Sequence, residues 1–218
     1  MSLTQRKARP LVRDAQSLRD TRLFIVACDD TYAPKQYFDF FALSRVQVHV
    51  VPTQDGSSAA KHVLERLLSY RHEADDELWM LLDVDHYATG AHVASFIATI
   101  GEAQRQGVNI ALSKPCFEFW LLLHHDSGPA VNALPDCNTT EAALRSKLGE
   151  YNKTNLKPEH YPLESVAEAC TRAQILDVAV PGGDIPSANT TRVYQLLKAI
   201  AAKALPSQLP LELRSLPP

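Results

Sequence analysis

The first 125 residues alternate between short apolar runs and amphipathic stretches, which predicts strands and helices in turn. Leu23 to Cys28 is an apolar run of strand length that ends in Asp29-Asp30. Pro34 to Leu43 suits a helix, with proline early and Tyr37, Phe38 and Phe41 on one face. Val46 to Val51 is a β-branched second strand stopped by Pro52. Between Ser57 and Arg71, residues Ala60, Val63, Leu64, Leu67 and Leu68 follow the helical i, i+3, i+4 spacing. Glu77 to Asp83 predicts a third strand. Ala91 to Gln106 predicts a helix with Val93, Phe96, Ile97 and Ile100 inward, ended by Gly107. Val108 to Ser113 reads as a fourth strand, and Pro115 opens a helix that runs through His125. Four strand–helix units in succession predict an α/β fold: a four-stranded, mostly parallel sheet flanked by helices.

After residue 125 the pattern changes. Residues 126–138 carry Gly128, Pro129, Pro135 and several Asn and Asp, and read as a loop. Helical periodicity returns at 140–148, 163–180 and 191–205, the last with Val193, Leu196, Leu197 and Ile200 in register. Pro181 to Pro186 reads as a tight connector. No strand pattern stands out in this part. The expected organisation is an N-terminal arm over 1–22, an α/β core over 23–125, a helical extension packed on that core over 126–205, and a proline-rich tail over 206–218 without regular structure.

Composition narrows the class. A 218-residue chain that is 45% hydrophobic and 22% charged suits a soluble globular protein. No apolar run approaches the roughly 20 residues needed to cross a bilayer, and no apolar signal core follows the N-terminal charges, so a cytoplasmic location is expected. The four cysteines, Cys28, Cys116, Cys137 and Cys170, are far apart and form no CxxC pair. That spacing argues against zinc and against a disulfide framework. The net charge of −3 gives no global pull toward nucleic acid. The arm, however, concentrates Arg6, Lys7, Arg9, Arg13, Arg19 and Arg22 against only Asp14 and Asp20, a pattern that fits both steering of the chain to phosphates and a solvated, partly disordered terminus.

The candidate chemistry lies at the predicted carboxyl ends of the strands, where open parallel sheets collect ligands. The first strand delivers Asp29 and Asp30 there, and the third delivers Asp83 and Asp85. Side chains at i and i+2 of an extended segment share a face, so Asp83 and Asp85 converge and need a cation or proton between them. Oxygen-only ligands of this kind suit Mg²⁺ or Mn²⁺. Asp29, Asp83 and Asp85 are the expected metal ligands, and a metal so held can activate water on a phosphodiester. Lys114 after the fourth strand and His86 after the paired aspartates are candidate phosphate contacts. Glu118 is an anion amid large apolar residues and is expected to face the metal edge, to pair with a base or to cap its own helix. His124, His125 and Asp126 do not share a helix face and make a poor zinc site.

The run Ser113-Lys114-Pro115-Cys116-Phe117-Glu118-Phe119-Trp120-Leu121-Leu122-Leu123-His124 closely resembles the NPCFELWLLLH signature of RloB-like proteins, a prokaryotic family associated with phage defence and restriction loci. Asp83-Val84-Asp85 resembles the family's DxD element, and Tyr151-Asn152-Lys153 and Ile185 to Thr191 resemble segments of its helical part. The resemblance implies a Toprim-like fold with a carboxylate after the first strand as general acid or base and Mg²⁺ on the DxD. It further implies nuclease activity on RNA or DNA, beside an ABC-type or OLD-like ATPase partner. Assembly as a homo-oligomer is compatible with this setting. Asp29, Asp83, Asp85 and Glu118 would then be the catalytic set. The first motif departs from the family's CEGEKTEPNYF pattern. Asp29 stands for its first glutamate, with a side chain shorter by about 1.5 Å, Asp30 for its glycine, and Thr31 and Pro34 for the later glutamates. An active enzyme and a degenerate, regulatory member both fit that change.

Two other classes remain. In a phospho-receiver, Asp83 would accept phosphate, Asp29 and Asp30 would hold Mg²⁺ and Lys114 would contact the phosphoryl group. Receivers, however, place a further strand–helix unit between that aspartate and lysine. The other class is a non-catalytic subunit of a defence ATPase complex.

Overall fold

In the computed structural model, residues 22–30, 32–41, 43, 46–52, 58–84, 87, 92–180, 185–207, 209–214 and 216 are described. Strands β1 (Arg22–Cys28) and β3 (Glu77–Asp83) are buried along nearly their whole length, because helices cover both faces of the sheet between them. β2 (Val46–Val51) and β3 flank β1 in parallel register, and β4 (Asn109–Lys114) adds parallel to β3. These four strands match the expected segments to within a residue at each end.

The sheet has a fifth member. β5 (Thr190–Thr191) pairs antiparallel with the end of β4, giving the order β2-β1-β3-β4-β5. The expectation of four strands, with none after residue 125, is corrected here. A two-residue strand shows no periodicity to read, and its pairing is made by Ser113 and Lys114, far away in sequence.

Alternate residues of the strands feed two cores, as the period of two requires. Leu23, Ile25, Ala27, Met80 and Leu82 pack against helices α2 (Ala60–Ser69) and α3 (His92–Arg105). Phe24, Val26, Cys28, Trp79 and Leu81 face the opposite layer, where α1 (Tyr32–Asp39), α4 (Phe117–Leu123), α7 (Leu163–Ala179) and α8 (Val193–Lys203) lie. All seven residues of α4 are buried. Six of its seven residues are apolar, so it has no solvent face to present, and each Phe or Leu so covered is worth about 1.5–3 kcal/mol relative to exposure. The extension is therefore part of the same core: Leu144, Val166, Ala169, Leu196 and Ile200 share a cluster with Phe24 and Trp120.

Helix ends follow local chemistry. Gly107 adopts φ 74° just past α3, as its position predicts. The expected loop over 126–138 contains a short helix, α5 (Pro129–Asn132), and the start of α6 (Cys137–Leu148). The Asp136 carboxylate accepts the Thr139 amide in a capping box, and Gly149 at φ 77° closes α6. A 3₁₀ turn spans Pro158–His160. The tail is also more ordered than its prolines suggest. α9 (Leu211–Arg214) forms there, and Leu209 and Leu213 are buried against the core. The basic arm up to residue 21 lies outside the described residues, as do Asp85, His86 and residues 181–184.

Candidate metal centre

The carboxyl edge of the sheet is built by β1 and β3 lying side by side. Asp29 follows the last residue of β1, and its two carboxylate oxygens accept backbone amides, Asp30 N–H at 2.9 Å and Asp83 N–H at 2.9 Å. The first expected acid is thereby pinned to the backbone of the second, which brings the two loops together as the reading from strand ends required. Period two turns Asp83 to the same side as Trp79 and Leu81, toward α4 and the extension.

Asp83 is one of two buried carboxylates at the edge. It is buried at 8% exposure, and among the described residues nothing donates a hydrogen bond to its carboxylate. Burial, then the charges of Asp29 and Glu118, push its carboxyl well above the usual range.

Glu118, 5% exposed in the first turn of α4, accepts the Tyr151 hydroxyl at 2.8 Å. Its charge is felt by Asp83 and it also sits in the first turn of its own helix, while its hydrogen-bond partner is a neutral phenol and not a base. Burial, then Glu118, raises the Tyr151 hydroxyl far above its ordinary value, so it stays protonated and donating. Asp30 accepts the Tyr32 amide at 2.9 Å and pairs with Lys153 at 2.9 Å. The ion pair with Asp30 raises the Lys153 ammonium, and Glu118 adds in the same direction.

Sequence reasoning did not select Tyr151 and Lys153 as site residues, although the Tyr151-Asn152-Lys153 segment carried the signal. It also passed over Cys116 and Cys137. One ligand atom each of Asp83, Cys116 and Cys137 lie within 4.8 Å of one another. Cys116 caps α4 and Cys137 begins α6, so their proximity comes from how the two helices pack and no CxxC spacing could reveal it. None of the four cysteines is joined in a disulfide.

Lys114 holds backbone carbonyls. Its ammonium donates to the carbonyls of Pro186 at 3.2 Å and Ser187 at 2.9 Å, tying β4 to the segment that enters β5. His124 is a core residue. Its ring contacts the Tyr37 hydroxyl at 3.1 Å and the Ser165 hydroxyl at 2.9 Å, and burial holds its pKa well below the ordinary value.

The sequence model of the RloB-like protein family matches residues 24–200, from the first buried strand to the middle of α8. Searches of curated proteins and of solved structures returned no match.

Proposed function

Because the chain belongs to the RloB-like family, we propose that it is a Toprim-like, divalent-metal-dependent nuclease whose centre is the acidic edge of the sheet. One observation carries this reading: Asp29 and Asp83, from separate loops, meet beside Glu118, with Asp83 buried and its carboxylate without a donor among the described residues. A buried carboxylate among like charges needs a proton or a cation.

The residues present fit a hard cation. Asp29 and Asp83 would hold Mg²⁺ or Mn²⁺, with Asp85 supplying the second carboxylate of the pair, and the ion would supply Lewis-acid stabilisation of phosphate oxygens. Asp29, held by two amides, is the candidate base or third ligand. Tyr151 keeps Glu118 oriented toward the edge. Lys153, paired with Asp30, puts a cation beside the acids where a phosphate backbone would pass. His86 is the further phosphate contact in this reading. A nucleic-acid substrate, RNA or DNA, follows from the metal chemistry and from the basic arm. An ATPase partner of the ABC or OLD-like class in a phage-defence or restriction-linked setting follows from the family resemblance.

The site gives less support to the phospho-receiver. The Lys114 ammonium, which would have to reach a phosphoryl group on Asp83, is engaged by the Pro186 and Ser187 carbonyls.

The test is cleavage of end-labelled tRNA, single-stranded RNA and duplex DNA by the full chain with Mg²⁺ or Mn²⁺, alone and with its ATPase partner. Asp83→Asn and Asp29→Asn should each abolish cleavage while leaving the far-ultraviolet circular dichroism unchanged. Full activity in either variant refutes the assignment, and no cleavage of any substrate in either setting leaves the non-catalytic subunit as the better description.

A further inference from the structure

The same edge carries a second, softer donor set. Cys116 precedes α4 and is 1% exposed, while Cys137 is the first residue of α6 and is half-buried. The Asp136 capping box fixes the α6 start, so Cys137 is held in place by the fold. Together with Asp83 these residues offer two sulfurs and one carboxylate oxygen within 4.8 Å of one another.

The geometry points to a thiolate site for a borderline-soft divalent cation of the Zn²⁺ class, with Asp83, Cys116 and Cys137 as its three protein ligands. Zinc–sulfur bonds of about 2.3 Å and zinc–oxygen bonds of about 2.0 Å place neighbouring tetrahedral ligands roughly 3.5–3.8 Å apart. The three donors need to close by at most about 1.0–1.3 Å, within the reach of χ1 adjustments of two cysteines and an aspartate. Three ligands leave a fourth position for water or substrate, the pattern of an open rather than a closed zinc site. Binding releases the thiol protons to solvent as the two sulfur–metal bonds form, so affinity rises with pH. Mg²⁺ prefers oxygen, while Zn²⁺ accepts sulfur, so the two ions favour different partners around a shared Asp83. Zn²⁺ at the thiols therefore displaces Mg²⁺ from the carboxylate and silences the edge. That consequence rests on the nuclease reading, whereas the binding itself does not.

Two measurements keep those apart. Titration of the reduced full-length protein with Co²⁺ reads thiolate ligation directly, through a near-ultraviolet sulfur-to-metal charge-transfer band. One equivalent should develop the band, and Zn²⁺ should bleach it while Mg²⁺ in excess should not. Cys137→Ser and Cys116→Ser should each diminish the band, Asp83→Asn should weaken the affinity at least about tenfold, and Cys170→Ser should leave both unchanged. No band in the unmodified protein overturns the proposal without reliance on any variant, as does a band that survives in both Cys116→Ser and Cys137→Ser. If the protein cleaves nucleic acid, low Zn²⁺ should inhibit it, and Cys137→Ser should resist that inhibition. Equal inhibition of both overturns the regulatory consequence while leaving the binding result intact.

Discussion

Replacing Asp83 by asparagine keeps the side-chain shape and removes the charge, and the structure gives the sign of the effect. Without a metal, Asp83 is a buried carboxylate with 8% exposure, facing Asp29 and Glu118. The effective cost of a buried, uncompensated ion is several kcal/mol. Protonation limits that cost, because each unit by which a pKa rises corresponds to only about 1.4 kcal/mol. Relief of about 2 kcal/mol is therefore expected from Asp83→Asn in a chelating buffer near pH 7.5. For a chain of this size that is a rise of roughly 4–8 °C in Tm. The pH dependence carries a definite sign. A carboxyl whose folded pKa is raised binds its proton more tightly folded than unfolded. Stability from this group falls as pH rises from about 4 toward the folded pKa. The variant's advantage should accordingly shrink as the buffer is taken down to about pH 4. Metal reverses the ranking, since a hundredfold excess over Kd stabilises the unmodified protein by about 2.7 kcal/mol and the variant by far less. Differential scanning calorimetry with EDTA and then with Mg²⁺ or Mn²⁺ reads all three effects. A variant that melts at or below the unmodified protein in EDTA, or that gains as much from the metal, refutes the reasoning.

Other perturbations test the surroundings. Tyr151→Phe leaves buried Glu118 without its donor and should lower stability by about 2 kcal/mol, measured by urea unfolding; a loss under about 0.5 kcal/mol would mean that Glu118 finds another partner. Lys153→Ala removes a half-exposed partner of Asp30 and should cost no more than about 1 kcal/mol, with the loss vanishing in high salt. Burial holds His124, and less deeply His125, below the ordinary histidine pKa. Their contribution to stability is thus complete above about pH 6.5 and is lost as pH falls below it, at up to about 1.4 kcal/mol per unit for each group. His124→Asn should flatten the part of that decline due to His124 in melts between about pH 6.5 and 5, and an unchanged slope would show that His124 is not the responsible group.

Reading the chain in order recovered what local pattern controls. β1 through β4 and the helices between them follow from apolar periodicity, because a strand buried on both faces and an amphipathic helix leave distinct repeats. The convergence of Asp29 and Asp83 followed from strand direction alone, since parallel strands deliver their carboxyl ends to one edge, and the Asp83 amide on Asp29 bears it out. The family was legible in the run from Ser113 to His124.

Long-range pairing decided the rest. β5 exists only because Thr190 and Thr191 meet the end of β4, and two residues have no period to display. Tyr151 and Lys153 reach Glu118 and Asp30 across more than thirty and more than a hundred positions. Cys116 and Cys137 are 21 residues apart and become neighbours because α6 packs on α4. Lys114 was placed by its strand but aimed by carbonyls at 186 and 187. Sequence determines which side chains leave an element and on which face, because that depends on neighbours within a few residues. Which groups they meet depends on how distant segments pack, and only the folded chain decides that.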